Sequence, residues 1–268
     1  MRNQLKNRLN NKILNKKNTK PAHYTGSLLE RIIRAHPLIY IISRFFIRFT
    51  NIFEKDFDGL KLLNFDKKIN ILDVGASDGI AAKFFNNNFN IGTIYCFEPN
   101  RGYVEILKKA KIKNVVIKPF AIGNQNNYIN IMYPRYKFFN RVYDIITYTC
   151  YDIKLLRFFL LDFKFRKNIT IVKKKLLIKK IDKFKKKIHL IKIDTNGFEL
   201  SVIKSLINTI KKDKPALIVE DNVQSKNIYK ILKKYSYKSF YYSTSLKKFT
   251  KKQTKYSLNK YYLQSNHL

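Results

Sequence analysis

Cysteine is nearly absent from this chain, whose 268 residues include only Cys96 and Cys150. Two cysteines do not make the disulfide framework of a small secreted domain, so the composition fits a reducing cytoplasm. Cys96 lies inside a predicted buried strand, where we interpret it as a small core residue. No cluster of cysteine and histidine has the spacing of a zinc site.

Long hydrophobic runs are missing as well. Residues 1–26 are polar and rich in lysine and asparagine. They lack the apolar core of a secretory signal, so we predict a flexible basic arm there. The most apolar stretch, residues 38–49, is interrupted by Arg44 and Arg48. Its uninterrupted part is far shorter than the ~18 residues that a membrane-spanning helix needs.

Acidic residues are scarce: 18 aspartates and glutamates stand against 55 lysines and arginines, which gives a net charge of +37. This charge favours a polyanionic partner such as nucleic acid, an anionic membrane or an acidic glycan. Base composition is a second explanation. The abundant Lys, Asn, Ile, Phe and Tyr have A/T-rich codons, whereas tryptophan is absent and glycine and proline are rare. Both explanations stay open, so the charge is weak support for a polyanionic substrate.

Residues 27–60 are predicted to form an amphipathic helical extension. Ser27 followed by Glu30 matches a capping box, and Pro37 breaks the helix before the apolar stretch. Arg44 and Arg48 lie four residues apart and therefore share one helix face. Two interpretations stay open. The helix lies on an anionic membrane surface, or it packs its apolar side against the following domain or a second subunit.

Residues 61–268 have the pattern of one α/β domain. Hydrophobic residues make up 45% of the chain, which is enough for a packed core. Strands are predicted at 69–74, 92–97 and 114–119, and helices at 79–86 and 100–110. Such alternation is typical of βαβ units in a doubly wound, largely parallel sheet.

The alternation is interrupted by residues 127–181. Their extended segments and irregular aromatic stretch predict a β-rich insertion with hairpin-like strands that covers the active site. The βα pattern then resumes, with strands predicted at 189–194 and 215–220 and helices at 197–210 and 224–234. Residues 237–264 alternate aromatics with lysines and predict the last, antiparallel strands of the sheet.

The clearest functional motif is the glycine turn at residues 71–79 (ILDVGASDG). An apolar strand reaches Asp73 and turns through Gly75 and Gly79, where the missing side chains let the backbone approach a ligand. Glu98 ends the next apolar run, 25 positions after Asp73. A carboxylate about 20 residues past such a turn typically accepts hydrogen bonds from ribose hydroxyls. The structural alternative is that Asp73 and Gly75 cap a helix and Glu98 is an exposed strand end.

Four stretches in this order resemble the FkbM family of S-adenosylmethionine-dependent methyltransferases. They are 72–79 (LDVGASDG), 96–100 (CFEPN), 121–123 (AIG) and 191–199 (IKIDTNGFE). The last is the most specific to the family, and the first two are shared by many class I methyltransferases. The resemblance covers about residues 69–222. It departs from the family pattern at Asn196, where the family usually has glutamate.

The resemblance implies a Rossmann-like class I methyltransferase fold with S-adenosylmethionine at the carboxyl ends of its strands. The cofactor-binding residues predicted on this basis are Asp73, Gly75, Ser77, Gly79, Glu98, Phe120 and Ala121. By analogy, the two glycines line the methionine part, Glu98 holds the ribose hydroxyls, and Phe120 and Ala121 lie near the adenine. An aromatic ring at position 120 can stack on the purine, or it is an ordinary core aromatic.

Methyl transfer to a hydroxyl group needs an aligned acceptor in a dry pocket and benefits from a base. The catalytic candidates are Asp194, Glu199 and Glu220. Asp194 follows a central strand and is the first choice, with a helix N-cap as its structural alternative. Glu199 falls in a first helical turn, where an acid is favourable in any case, and Glu220 ends the next strand. His189 begins its strand at the opposite end and is predicted to be structural. A metal-assisted mechanism with Asp194 and Glu220 stays open, but two carboxylates are a thin ligand set, so no metal ligands are predicted.

The sequence therefore predicts an S-adenosylmethionine-dependent O-methyltransferase that acts on a small-molecule, sugar, glycan or glycolipid hydroxyl. An RNA methyltransferase is one alternative. Nucleic acid is not favoured, because residues 194–197 (DTNG) lack the Asn/Asp-Pro-Pro-Tyr/Phe turn used for base N-methylation. A non-catalytic membrane-surface module is another. An NAD-dependent dehydrogenase would usually show Gly-x-Gly-x-x-Gly, whereas here Gly75 and Gly79 are four apart. We expect a cytoplasmic enzyme, with peripheral contact with an anionic membrane as one interpretation of residues 27–60.

Overall fold

The computed structural model describes residues 36–47, 50, 53–65, 67–160, 168–181, 183–254 and 256–268. The predicted basic arm (1–26) and the predicted capping box at Ser27 and Glu30 lie outside these residues. Arg48 and the side chain of Arg44 also lie outside them.

Two sheets and the helices around them make up this part of the chain. The strands are β1 (Ile69–Val74), β2 (Ile91–Phe97), β3 (Val115–Lys118), β4 (Ala121–Ile122), β5 (Asn127–Phe138), β6 (Arg141–Asp144), β7 (Ile169–Lys179), β8 (Leu190–Ile193), β9 (Ala216–Glu220), β10 (Lys238–Ser243), β11 (Lys248–Thr250) and β12 (Asn259–Leu263). The α-helices are α1 (Pro37–Ile47), α2 (Ile80–Asn88), α3 (Arg101–Ala110), α4 (Ile153–Phe159), α5 (Glu199–Ser205), α6 (Ile207–Asp213) and α7 (Ser225–Leu232). Short 3-10 helices lie at Lys55–Leu62, Ile146–Tyr148, Lys233–Tyr235 and Ser265–His267.

The larger sheet has eight strands in the order β11-β10-β12-β9-β8-β1-β2-β3. The strands from β9 to β3 are parallel, whereas β12 runs antiparallel to both β9 and β10. The chain moves outward from β1 to β2 and β3, and later adds β8 and β9 on the other side of β1. The sheet is therefore doubly wound with its switch point between β1 and β8, which confirms the predicted Rossmann-like fold.

Both faces of the central strands are covered. Strand β8 (LIKI) is buried along its whole length, as are most of β1 and β9. Parallel strands covered by helices on both faces are expected to have such continuous apolar runs. One face packs against α2, α3 and the 3-10 helix at Lys55–Leu62, and the other packs against α5, α6 and α7.

The predicted helix at 197–210 begins later and is divided. Asn196 and Gly197 have left-handed backbones, with φ of 50° and 99°, and consecutive left-handed residues do not belong to a right-handed helix. Helix α5 therefore begins at Glu199. Leu206 separates α5 from α6, because its ψ of 7° departs from the helical value.

The predicted insertion forms the smaller sheet, with strand order β4-β7-β5-β6. Strands β5 and β7 are long antiparallel neighbours. Helix α1 packs on this sheet, where Tyr40 stacks on Tyr148 with ring centroids 5.2 Å apart. Met132, Tyr136 and Leu156 belong to the same buried cluster. The inner face of α1 is therefore part of the insertion's core.

The segment before β1 is joined to the far side of the large sheet. Asp56 in the 3-10 helix at Lys55–Leu62 is fully buried, and its Oδ2 accepts hydrogen bonds from the N–H groups of Leu258 (2.9 Å) and Asn259 (2.8 Å). Phe57 and Leu60 of the same helix lie in the main core. The boundary predicted between residues 60 and 61 therefore falls inside an element that packs on the sheet.

Candidate active site

The glycine turn leaves β1 and closes over the neighbouring strand β8. Gly75 and Gly79 have φ values of 82° and 84°, which glycine adopts without steric cost. A Cβ on Gly75 would lie 1.8 Å from the carbonyl oxygen of Asp194. The N–H groups of Gly75 and Ala76 donate to the Phe97 carbonyl of β2 at 2.9 and 3.2 Å. Position 75 thus requires glycine both for its φ and for close contact with β8.

A buried lysine lies beneath this turn. Lys192 of β8 pairs in register with Asp73 of β1, and paired residues of neighbouring strands point to the same face of a sheet. Lys192 Nζ donates to the Gly75 carbonyl at 2.9 Å, and it lies 3.2 Å from Asp73 Oδ1 and 3.6 Å from Asp194 Oδ2. One ammonium group therefore connects β1, the glycine turn and the loop after β8.

The charges around Lys192 compensate for its burial. Burial alone lowers the pKa of a lysine, but Asp73, Asp194 and Glu54 together raise the pKa of Lys192 above its ordinary value. Burial raises the pKa of Asp73, and Lys192 opposes that shift. Neither Asp73 oxygen forms a well-aligned hydrogen bond within the described residues, so the ion pair is its compensation. Asp73, predicted to contact the cofactor, lies fully buried below the turn and supports it through Lys192.

Glu98 follows β2 and lies beside the glycine turn. Its Oε2 accepts a hydrogen bond from the Ser77 N–H at 2.9 Å, and its Oε1 accepts one from the Asn100 N–H at 2.8 Å. Burial raises the pKa of Glu98 to about 7, although these two N–H groups lower it. The residue is only 6% exposed, so it is not the exposed strand end of the structural alternative. The structure brings Glu98 into direct contact with Ser77 of the turn.

Glu199 holds the loop after β8 in shape. Its Oε1 accepts hydrogen bonds from the Thr195 N–H (3.0 Å), the Thr195 hydroxyl (2.9 Å) and the Gly197 N–H (2.9 Å). Its Oε2 accepts a hydrogen bond from Asn222 Nδ2 at 2.6 Å. The residue has no solvent exposure. This geometry gives Glu199, predicted as a catalytic candidate, a supporting position rather than access to a substrate proton.

Asp194 follows β8 and Glu220 ends β9, and these neighbouring parallel strands end at the same edge of the sheet. The Asp194 side chain is 36% exposed and lies 3.6 Å from Lys192 Nζ. Helix α5 begins only at Glu199, so Asp194 is not its N-cap. Glu220 is partly buried and is in register with Asn259 of β12. Asp194 therefore combines solvent access with a place at the switch point.

Phe120 and Ala121 follow β3, and both are partly buried. The Phe120 ring packs edge-on against Phe97 with centroids 5.6 Å apart, and Lys179 Nζ lies 4.8 Å from its centroid. Phe97 is the residue before Glu98 in the chain, and Phe120 packs against the core cluster that contains Phe97. Both predicted roles of Phe120 are compatible with this placement.

The insertion reaches the site through Tyr151. Its hydroxyl accepts a hydrogen bond from Gln224 Nε2 at 3.2 Å, and its ring lies edge-on to Phe198 with centroids 5.5 Å apart. Gln224 Nε2 also donates to the Gly197 carbonyl at 2.6 Å, and its Oε1 accepts from the Leu200 N–H at 3.0 Å. The insertion and the start of α7 thus fix the loop after β8. No motif in the sequence indicated these contacts.

Two charged residues of the site were not among the predictions. Lys192 had a signal, because a lysine inside an apolar strand needs a nearby counter-charge. Glu54 had none, since it precedes the glycine turn by about 20 residues and reaches the site only in the folded chain. Its Oε2 accepts a hydrogen bond from Asn259 Nδ2 at 2.7 Å. Glu54 as a whole is an exposed residue, yet burial of its carboxyl group, followed by the charges of Asp56 and Asp194, raises the pKa of Glu54 to about 7.

At the carboxyl edge of the strands, the carboxyl groups outnumber the buried lysine beside them. Among the described residues, Asp73, Asp194 and Glu54 act on the charge of Lys192, and Glu98 lies across the turn. Such an excess suits a positively charged ligand. Within the described part of the chain, no group of three His, Cys, Asp or Glu side chains could hold a metal ion.

A family model described as the methyltransferase FkbM domain matches residues 73–239. The matched span contains residues 73–79 of the glycine turn, Glu98, the loop after β8 and Glu220, and it excludes α1 and Glu54. No curated protein matches the chain at a significant level.

The solved structures similar to this chain include three that are named for methyl transfer. Methyltransferase FkbM from Methylobacillus flagellatus KT has 15% identity and a TM-score of 0.47, over 75% of this chain and 45% of that chain. Precorrin-6y C5,15-methyltransferase from Geobacter metallireducens GS-15 has 11% identity and a TM-score of 0.38, over 77% of this chain and 86% of that chain. Ribosomal protein L11 methylase from Lactobacillus delbrueckii subsp. bulgaricus has 11% identity and a TM-score of 0.41, over 78% of this chain and 74% of that chain. The chain spans less than half the length of the first, and likenesses this distant support no conclusion about activity.

Proposed function

The chain belongs to the FkbM methyltransferase family, and we propose that it transfers a methyl group from S-adenosylmethionine to a hydroxyl group of a sugar, glycan or glycolipid. The observation that carries this proposal is the convergence of the glycine turn, Glu98 and Asp194 at one edge of the sheet. In doubly wound sheets the ligand crevice lies at that edge, beside the switch point.

The residues beside the switch point fit this cofactor. Each Glu98 oxygen accepts one backbone N–H and keeps a further acceptor site, so the carboxylate can also accept hydrogen bonds from two ribose hydroxyls. Ser77 donates its backbone N–H to Glu98, and Gly75 and Gly79 let the same turn pack closely against Asp194 and Leu107. The excess of carboxylates over Lys192 suits a cation. When bound, S-adenosylmethionine supplies a methyl group on a positively charged sulfur.

Asp194 is the proposed proton acceptor. Its partly exposed carboxylate can bind the hydroxyl of the methyl acceptor and take its proton as the oxygen becomes nucleophilic. Lys192 at 3.6 Å fixes this carboxylate from below. Glu199 and Gln224 hold the loop that follows Asp194, so the methyl acceptor binds beside a rigid backbone segment.

The substrate class is tested by transfer of label. The protein is incubated with methyl-labelled S-adenosylmethionine and with separate glycan, lipid and RNA fractions of a cell envelope and lysate. Label in the glycan or lipid fraction supports the proposal. RNA is the second candidate, favoured by the net charge of +37. Label confined to RNA, and lost steeply as salt rises, would move the assignment to RNA. If no fraction takes up the label, the proposed methyl transfer is contradicted.

Glu98→Gln is expected to weaken S-adenosylmethionine binding by about 1.5–3 kcal/mol, the range for hydrogen bonds to a charged group. Because the pKa of Glu98 is about 7 and the ionised form is the better acceptor, the affinity of the unaltered protein should rise with pH through about 7 and then level off. The glutamine side chain of the variant does not titrate, so this rise should become smaller, and the part that remains belongs to Glu54, whose pKa is also raised to about 7. Titration calorimetry at pH 6 to 8.5 measures both effects.

Glu105→Gln is the matched control for Glu98. Glu105 lies on the exposed side of α3 and pairs with Lys108 at 2.8 Å, so its replacement should change neither the affinity nor its pH dependence. Equal affinities for Glu98→Gln and Glu105→Gln would refute the ribose-binding role.

Asp194→Asn is expected to lower turnover by about 10²-fold or more, the usual contribution of a general base, and to leave cofactor affinity within about twofold. Asp58→Asn is the control, because Asp58 pairs with Lys61 at the surface. Full activity in Asp194→Asn would reject Asp194 as the base. If Glu54→Gln were then inactive, the role would pass to Glu54, which shares the same cluster.

A further inference from the structure

Helix α1 is apolar on two faces. Its inner face packs on the insertion through Tyr40, as described above. Its opposite face carries Ile39, Ile42 and Phe46, which are 44%, 55% and 62% exposed. These three residues, here called the outer stripe, are spaced by three and four positions and therefore form one line along the helix. A surface helix that is packed on one side normally has polar residues on the other.

Another exposed aromatic residue adjoins the start of α1. His36, the residue before the helix, packs edge-on against Phe138 with centroids 6.3 Å apart. The Phe138 ring in turn packs edge-on against the Phe139 ring, with centroids 4.6 Å apart. Phe139 lies in the turn between β5 and β6 and is 83% exposed. The insertion thus presents apolar side chains both on α1 and at the tip of this hairpin.

The same unit is strongly basic. Residues 127–160 and 168–181 contain ten lysines and arginines and only two aspartates. Lys137 and Arg141 flank the hairpin tip and are both exposed. Exposed apolar residues beside cations are the composition of helices that lie in the interface of an anionic bilayer.

We propose that the outer stripe of α1, with the tip of the β5–β6 hairpin, binds the surface of an anionic lipid bilayer. The contact would be peripheral, because α1 has only 11 residues and no helix in the described ranges has the length and hydrophobicity to cross a membrane. The residues of this surface are not among those of the proposed active site, and the proposal does not depend on the proposed reaction.

Charge and area favour lipid over a second copy of the chain. Two chains of net charge +37 repel each other, whereas the same charge attracts anionic headgroups. Three side chains on a short helix also cover far less than the ~800 Å² per partner that a stable protein interface usually buries. A bilayer needs no matching shape and accepts a small apolar patch.

Co-sedimentation of the full chain with vesicles tests this proposal. The protein should bind vesicles of phosphatidylcholine with about one third phosphatidylglycerol, bind pure phosphatidylcholine weakly, and dissociate as salt rises. The double variant Ile39→Ser with Ile42→Ser should bind anionic vesicles about tenfold or more weakly, since it loses the apolar contact. Circular dichroism and a thermal melt confirm that the variant is folded.

Leu62→Ser with Leu246→Ser is the matched control. These leucines are 46% and 59% exposed and lie outside the insertion and α1, so their replacement should leave vesicle binding unchanged. Three results would overturn the proposal. The unaltered chain does not bind anionic vesicles, the isoleucine variant binds as tightly as the control, or light scattering shows a dimer that the isoleucine variant abolishes.

Discussion

Replacing Lys192 by methionine is expected to lower the free energy of unfolding by about 3–5 kcal/mol, the cost of removing one partner of a buried ion pair. The side chains of Lys192 and Asp73 are 6% and 0% exposed and their charged atoms are 3.2 Å apart. Methionine matches the length of the lysine stem but leaves Asp73 with no compensating charge. Urea denaturation measures the effect, which is a large part of the 5–15 kcal/mol of a typical domain.

The sign of the pH dependence identifies the cause. Burial already raises the pKa of Asp73, and loss of Lys192 raises it further. A carboxyl group whose pKa is higher in the folded state destabilises the fold when ionised, so the defect of Lys192→Met should shrink as pH falls. Adding Asp73→Asn should restore part of the stability at neutral pH, because it removes the stranded charge.

Lys108→Met is the control for this series. Lys108 forms an exposed pair with Glu105, with side-chain exposures of 58% and 60%, and such pairs contribute about 0–1 kcal/mol. If Lys192→Met cost no more than Lys108→Met, Lys192 would not be the compensation for Asp73.

Gly75→Ala is expected to disrupt both the turn and cofactor binding. The new Cβ would lie 1.8 Å from the Asp194 carbonyl oxygen and 2.8 Å from its carbon, and both atoms are backbone that cannot rotate away. The φ of 82° adds about 1–2 kcal/mol for a residue with a side chain. We expect a lower melting temperature and loss of measurable S-adenosylmethionine binding by calorimetry.

Alanine substitutions at two other glycines should have smaller effects than Gly75→Ala and serve for comparison. A Cβ on Gly79 would meet the ends of the Leu107 and Ile112 side chains at 2.7 and 2.8 Å, which can shift, so Gly79→Ala should have an intermediate effect. Gly102→Ala lies in α3 with its nearest contacts at 3.3 Å and should change stability by less than about 1 kcal/mol. If Gly75→Ala behaved like Gly102→Ala, the close contact between turn and strand would be wrong.

The large sheet was predictable because its signals are local. Apolar runs predicted β1, β2, β8 and β9 to within about one residue at each end, since strands buried on both faces have few polar positions. The divided helix after β8 was missed. Its late start depends on left-handed Asn196 and Gly197, and the loop is fixed by hydrogen bonds from Asn222 and Gln224 farther along the chain.

Carboxylates could be named from the sequence, but their surroundings could not. Glu98 and Ser77 are brought together by the parallel pairing of β1 and β2, a consequence of the predicted fold. Glu199 matched the same motif as Asp194, yet it is buried under four hydrogen bonds while Asp194 is partly exposed. Whether an acidic side chain meets solvent or backbone depends on the path of the loop, which the motif does not contain.

The sequence by itself determined the doubly wound sheet, the glycine turn and the place of Glu98 after the second strand, because periodicity and turn chemistry act over a few residues. Only the tertiary structure decided which charges share the site. The register of β1 against β8 places Lys192 beside Asp73, and packing of the segment before β1 brings in Glu54. It also divided α1 into an inner face on the insertion and an outer stripe. These contacts join residues far apart in the chain, so they are fixed by packing rather than by local preference.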